Sequence, residues 1–447
     1  MFKTLKNAWK IPELQNKILF TLLIVLLYRV GSAIPVPYVN ADVLTSFNSA
    51  YGDTILGYMS ILSGGAMSQA TLFALSVSPY ITASIVIQLL TVAFPNWLGK
   101  IAKDGEEGQK KIKKYTRIVT VVLALITAYG YTALLASNSW LNGITWNGFW
   151  ADTTTNGFQV SISVLVIIAS YCAGAAIIMW LAELIDAKGI GNGISMILFF
   201  NILSRVPYLV SSLWSMITSD KFHVAVGILL GVLSVVITLA MIVLVIWVTN
   251  SERRISIQYA KRVVGRKMYG GQGTNLPIKL NMTGVMPIIF ASSIVSVPAT
   301  IATFITNENN WFKKFVSGWF DTDTWPYIIV YLLLIIAFSY FYILISFNPI
   351  EVANNIKNNG GSVPGIRTGK PTAEYITKIL NRITLIGAFF LCIVAGLPMI
   401  INVVSGGAFA GIAFGGSSLL IVIGVALETF RDIEAQITMR NYKGFLD

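Results

Sequence analysis

The stretches that look most like chemistry are few, and each fails on spacing. "GIGNG", Gly189 to Gly193, is glycine-rich, but it follows a long apolar run and lacks the GxGxxG period that brings backbone N–H groups to a pyrophosphate. It reads as a tight turn between two apolar segments. "PGIRTGKPT" has the Gly-Lys pair of a phosphate loop, yet Pro364 stands where the first glycine is needed and Pro371 follows Lys370 in place of Ser or Thr. The only histidine, His223, has no Ser, Cys or carboxylate constellation beside it, so neither a catalytic triad nor a zincin site assembles around it. Cys172 and Cys392 lie inside apolar runs without CxxC partners and read as buried small hydrophobes. No catalytic residue, metal or cofactor is expected.

What such residues would need is an element to hold them, and the elements here are membrane spans. Of 447 residues 55% are hydrophobic and 12% charged, with a mean hydropathy of +0.71, more apolar surface than a soluble core can bury. Ten nearly uncharged runs lie at 18–35, 76–94, 117–136, 160–182, 192–210, 224–248, 284–305, 325–346, 379–398 and 411–428. Each is close to the roughly 20 residues a helix needs to cross the hydrocarbon. The first follows a basic start but is long and continues into "SAIPVP", so it reads as an uncleaved span rather than a signal peptide. Span interiors hold almost no ionisable residue, which counts against an ion-coupled transporter. Arg29 near the outer end of span one, and Glu183 and Arg382 near cytoplasmic ends, read as snorkelling side chains.

With ten spans, both termini and loops 2/3, 4/5, 6/7 and 8/9 share one side, which carries 27 Lys and Arg against 13 Asp and Glu. The opposite loops hold four basic residues and seven acidic ones, so the positive side is cytoplasmic. Much of the +12 net charge therefore enforces topology. Two cytoplasmic loops exceed that need. Residues 250–281 alternate Ile255, Ile257 and Tyr259 with Ser256 and Gln258, then Leu276, Ile278 and Leu280, which predicts a basic β-hairpin standing in the cytosol. Residues 347–378 are too rich in Gly and Pro for a helix and carry Arg367 and Lys370 at their tip.

"PYITASIVI" at 79–87 and "PIIFASSIVSVP" at 287–298 both start on Pro and follow with an Ala-Ser pair. Span two of five would thus pair with span seven of ten, and an odd number of spans per half forces the halves to be inverted.

At this point the chain resembles the SecY family, channel subunits of the bacterial protein-conducting translocon. The resemblance rests on "RVGSAIPVP", "SGGAMSQATLFALSVSPYITASIVIQLL", "KDGEEGQKKIKKYTR", "GIGNGIS", "QYAKRVVGRK", "GVMPIIFASSI", "FNPIEVANNIKNNGGSVPGIRTGK" and "GGSSLLIV", in family order over nearly the whole chain. It implies an all-α membrane protein of ten transmembrane helices in two inverted five-helix halves, a clamshell with a boundary at 215/216. It further implies a re-entrant plug half-helix at about 55–67 and a cytoplasmic hairpin-like loop.

Residue by residue, the resemblance implies a plug containing Leu56, Met59, Ile61, Leu62, Gly64 and Gly65, uncharged and loosely anchored. The pore ring falls on Val77, Ile81, Ile194, Leu198, Ile289 and Ile421, an aliphatic constriction that dewets yet closes around any polypeptide. The lateral gate sets spans two and three against seven and eight, with Gln88, Ser292 and Ser293 as polar contacts. Lys261, Arg262, Arg266, Lys267, Arg367 and Lys370 would dock the ribosome and the SecA motor ATPase. Implied partners also include SecE- and SecG-like small membrane subunits, signal sequences, nascent polypeptides and membrane lipids. The implied location is the bacterial plasma membrane with both termini cytoplasmic. The competing expectations are a secondary transporter for a small solute, a membrane-embedded enzyme, and a specialised paralogue within the family.

Overall fold

The computed structural model describes residues 9–40, 47, 55–141, 157–207, 224–259, 262–264, 267–269, 273–303, 310–320, 324–404 and 415–443. Each apolar run falls on a helix. In the first part of the chain these are α1 (Pro12–Gly31), α3 (Ser78–Ala93), α5 (Gly105–Ser137), α6 (Gly157–Lys188) and α7 (Gly193–Ser204). In the second they are α8 (Val224–Asn250), α9 (Met286–Thr303), α11 (Trp325–Ser346), α13 (Lys370–Val404) and α14 (Gly415–Lys443). Four shorter helices lie between them: α2 (Ile55–Leu62), α4 (Leu98–Lys103), α10 (Trp311–Trp319) and α12 (Pro349–Asn358).

Six described helical segments are long and apolar enough to cross a membrane. The helices on the runs at 76–94 and 192–210 are the shortest of those on apolar runs. At about 1.5 Å per residue, the 16 residues of α3 and the 12 of α7 fall short of a hydrocarbon core about 30 Å thick. Irregular chain from Ser63 to Val77 packs ahead of α3, with Ala66, Phe73 and Val77 in the largest apolar core. Conversely, α13 and α14 run well past the apolar stretches at 379–398 and 411–428 into charged sequence.

"GIGNG" is the turn between α6 and α7. The Asn192 side chain accepts hydrogen bonds from the N–H groups of Ile194 and Ser195, and the Asp186 carboxylate accepts one from Gly193 at 2.7 Å, so the orphan donors at the start of α7 are satisfied. A Cβ at Gly193 would lie 2.0 Å from the Ala182 carbonyl oxygen, so only glycine lets α7 fold back this closely on α6.

Neighbours in space follow neighbours in sequence on each side of the molecule. α3 packs on α5, α5 on α6, α6 on α1 and α7; in the second set α9 packs on α11, α11 on α13, and α14 on α8 and α13. The two sets meet along two seams, α14 against α7 and α9 against α3 and α5. The largest apolar core lies between them and draws on both sets, with Ile81, Leu198, Ile288, Val295, Tyr331 and Ile421 all buried.

The loop expected to be a hairpin is one, but it does not stand free. β1 (Glu252–Tyr259) and β4 (Gly273–Lys279) pair antiparallel with Ile255 opposite Leu276 and Ile257 opposite Thr274. β5 (Gly361–Ser362), from the other long loop, adds to β1 in the sheet order β4-β1-β5. The inward faces of Ile255, Ile257 and Ile278 join Ile356, Val363, Ile376 and Ile379 in a separate core under α12 and α13. Burial of one face fixes the register, because a slip by one residue would expose these isoleucines. A second small hairpin, β2 (Arg262–Val264) with β3 (Lys267–Tyr269), extends from it. The 347–378 segment is more helical than its Gly and Pro content suggested: α12 fills its start, and Lys370 is the first residue of α13 rather than a loop tip.

Candidate functional site

Four of the six ring positions meet at one apolar cavity of about 60 Å³ between the two sets of helices. Ile81 reaches it from α3, Leu198 from α7, Ile289 from α9 and Ile421 from α14, with Leu56, Met59 and Leu62 of α2 covering one side. Val77 and Ile194 belong to the same core but stand off the cavity wall. The wall also includes Thr127, Tyr131 and Leu134 of α5, Ser292 and Ser293 of α9, and parts of the chain from Met67 to Pro79 that leads into α3. The lining carries no charge and is mainly aliphatic, with a few hydroxyls.

The helix α2 is two turns long, and its return is made by Gly64 and Gly65 at φ +67° and +91°, a left-handed region that costs a side chain strain. It is not loosely anchored. Asn201 of α7 donates from Nδ2 to the Leu62 carbonyl at 2.9 Å and to the Tyr28 hydroxyl at 2.9 Å. Arg205, just past α7, donates to the Ser60 hydroxyl at 2.8 Å, and Ser76 donates to the Leu62 carbonyl at 3.3 Å. Further along the returning chain, Tyr131 of α5 donates to the Met67 carbonyl and Tyr171 of α6 to the Ala70 carbonyl. Arg29 does not snorkel outward: its Nη2 donates to the Phe200 carbonyl at 2.6 Å, and a Cβ at Gly64 would lie 2.8 Å from its Nη1. Ser60 and Ser63 are fully buried in this seat.

Sequence reading missed Arg29, Asn201 and Arg205 as a group. The available signal was cost: a lone Asn in an apolar helix, and two arginines at the poorly charged end of the molecule, are expensive and need partners.

At the front seam, α9 lies against α3 and α5, and the gate positions sit on its two sides. Gln88 is two turns along α3 from Ile81, and its Nε2 donates to Ser84 in the same helix at 3.3 Å. Ser292 donates to the Ile289 carbonyl at 2.9 Å, again within its own helix, while Ser293 faces the cavity. Both bonds stay within one helix and do not cross the seam.

The basic positions divide. Arg262 and Lys267 lie on the β2–β3 hairpin, Lys267 opposite Val264, while Lys261 and Arg266 lie outside the described residues. Arg367 is exposed on a turn that is nailed down from both sides, because Val363 is buried in the core beneath the β4-β1-β5 sheet and Thr372 donates to the Arg367 carbonyl at 2.8 Å. The turn is ordered and leaves the Arg367 guanidinium exposed.

A family model described as SecY matches residues 71–430. The chain belongs to the SecY family. The protein translocase subunit SecY of Streptomyces coelicolor is 42% identical over 448 residues, covering 100% of both chains. A solved structure described by the statement that the SecY plug domain stabilises the closed state of the translocation channel and maintains a membrane seal superposes with a TM-score of 0.62, at 15% identity over 94% of this chain and 92% of that one. Sec61 in the canine ribosome–channel complex of the endoplasmic reticulum gives 0.61 at 14% identity over the same shares. The SecY-type fold, multi-pass and membrane-embedded, is therefore that of this chain.

Proposed function

We propose that this SecY-family chain is the central conduit through which unfolded secretory polypeptides cross the plasma membrane and nascent membrane helices enter it. The observation that carries the reading is the convergence of Ile81, Leu198, Ile289 and Ile421, from four separate helices, on a cavity covered by a short helix held in place by hydrogen bonds. Such a constriction blocks ions when empty, and rotamer freedom in its aliphatic side chains lets it close around a moving chain. The name of the Streptomyces relative, a protein translocase subunit, supports the same reading.

In this reading α2 is the plug, Val77 and Ile194 complete the ring as it opens, and α9 parts from α3 and α5 as a lateral gate. Residues 1–215 and 216–447 are the two inverted halves, hinged where α7 meets α14. The basic side faces the cytoplasm with both termini, and Lys261, Arg262, Arg266, Lys267, Arg367 and Lys370 receive the ribosome and the SecA motor. SecE- and SecG-like subunits complete the complex. The ribosome-bound Sec61 structure, which shares the fold, supports the docking role. Driving energy comes from those partners; the chain supplies a path rather than a reaction.

The reading is tested by replacing the resident channel subunit of a bacterial cell with this chain and following a signal-bearing precursor. Restored export is expected; accumulation of precursor beside a stably inserted chain would contradict it.

A further inference from the structure

The helix α10, "WFKKFVSGW", connects α9 to α11 on the side opposite the basic loops, and its two faces differ sharply. Val316 is 4% exposed and turns toward the protein, where α10 packs on the ends of both α9 and α11. Trp311, Phe315 and Trp319 recur every four residues and stack on one another, with centroids 5.8 and 6.0 Å apart. They are nevertheless 76%, 41% and 50% exposed. Three large stacked aromatics on one open stripe are a heavy apolar load for a nine-residue helix to show to water. Beside them stand the adjacent Lys313 and Lys314, on a side of the molecule whose loops hold seven acidic residues and four basic ones.

We propose that α10 is an interfacial anchor that lays Trp311, Phe315 and Trp319 into the headgroup–acyl boundary of the outer leaflet, with Lys313 and Lys314 reaching phospholipid phosphates. Three observations select lipid over another occupant. The stripe is continuous with the lipid-facing surface, since α9 exposes Val297 and Ile301 nearby and α11 opens with Trp325 at 52% exposure and continues with Ile329 and Leu333. The helix joins two membrane helices end to end, which fixes its depth at the boundary. Tryptophan flanked by lysine is also the composition that the interface favours, rings at headgroup level and ammonium groups toward phosphate. Because α10 packs on α9, the anchor would also tie the outer end of that helix to the leaflet. The anchoring rests on the chain being membrane-embedded, its assignment to the outer leaflet on the proposed cytoplasmic placement of the basic side, and neither on α9 being a gate helix.

The test uses the full chain with its partner subunits in phosphatidylcholine vesicles, with Cys172→Ala and Cys392→Ala and a nitroxide label on Phe315→Cys. Relaxation by oxygen, which concentrates in lipid, is compared with relaxation by a water-soluble nickel chelate. Leu333→Cys on α11 and Asn359→Cys in the α12–β5 turn serve as lipid and water references. The oxygen-to-nickel ratio at 315 should exceed that at 359 severalfold and fall below that at 333. A ratio equal to that at 359 would overturn the proposal, and exclusion of both relaxants would mean that a protein chain covers the stripe. Adding Lys313→Glu with Lys314→Glu should lower the ratio; an unchanged ratio would overturn the phosphate contact.

Discussion

Replacing Gly64 with alanine perturbs the plug seat at the point where its geometry is least forgiving. Gly64 holds φ +67°, which costs an L-residue about 1–2 kcal/mol. The new Cβ would lie 2.8 Å from Arg29 Nη1 and 3.2 Å from the Asn201 Cα. Asn201 Cα is backbone and cannot step aside cheaply. Arg29 could swing away only by giving up its 2.6 Å bond to the Phe200 carbonyl. That charge-assisted bond is worth about 1.5–3 kcal/mol. A chain that has left the seat feels neither penalty, so the substitution raises the seated state alone. A total of about 3 kcal/mol at about 1.4 per decade corresponds to roughly a hundredfold rise in the unseated fraction. The assay is resting ion conductance of the reconstituted complex, with Gly318→Ala as control, since a Cβ there meets nothing within 4 Å. Wild-type resting conductance in a correctly assembled Gly64→Ala complex would refute the reasoning.

Ser60→Ala removes the acceptor of Arg205 in the plug, and should shift the seat by about 2 kcal/mol in the same direction, read as export of precursors with weakened signal sequences. Unchanged substrate choice would remove Arg205 from the seat. Ile289→Asn or Ile421→Asn puts an amide into the apolar cavity and should wet it, raising resting conductance while thermal stability falls by no more than about 1–3 kcal/mol. Equal conductance would place the seal elsewhere. Arg367→Glu should impair motor- or ribosome-driven export without loss of insertion, because the turn is held by Val363 and Thr372 rather than by the guanidinium. The residual wild-type docking should weaken as salt is raised. Normal export by this variant would end the assignment.

The apolar runs were legible because lipid imposes length and hydropathy on each segment separately, and α8 and α11 follow theirs closely. The β1–β4 pairing was legible for a similar reason, since Ile255 and Ile257 alternate with polar residues. What sequence could not convey is what one segment does to another. The seat of α2 joins the adjacent Tyr28 and Arg29 to Asn201 and Arg205, pairs far apart in the chain that nothing local marks as partners. The addition of β5 to β1 likewise joins two loops that are read separately. α13 begins at Lys370 because its amphipathic first turns cover the core beneath the β4-β1-β5 sheet with Ile376 and Ile379, a reason that hydropathy alone discards. The aromatic stripe of α10 was readable from its i, i+4, i+8 spacing, but it sits in a loop where only charge was counted.

The central claim is that a polypeptide passes between Ile81, Leu198, Ile289 and Ile421. A photo-crosslinking residue at Ile289, with another at Phe389 on the exposed face of α13, addresses it while a secretory chain is stalled during export. The account predicts crosslinks from position 289 and none from 389. Export under way with no crosslink from 289 would mean that the chain travels elsewhere, and would contradict the account.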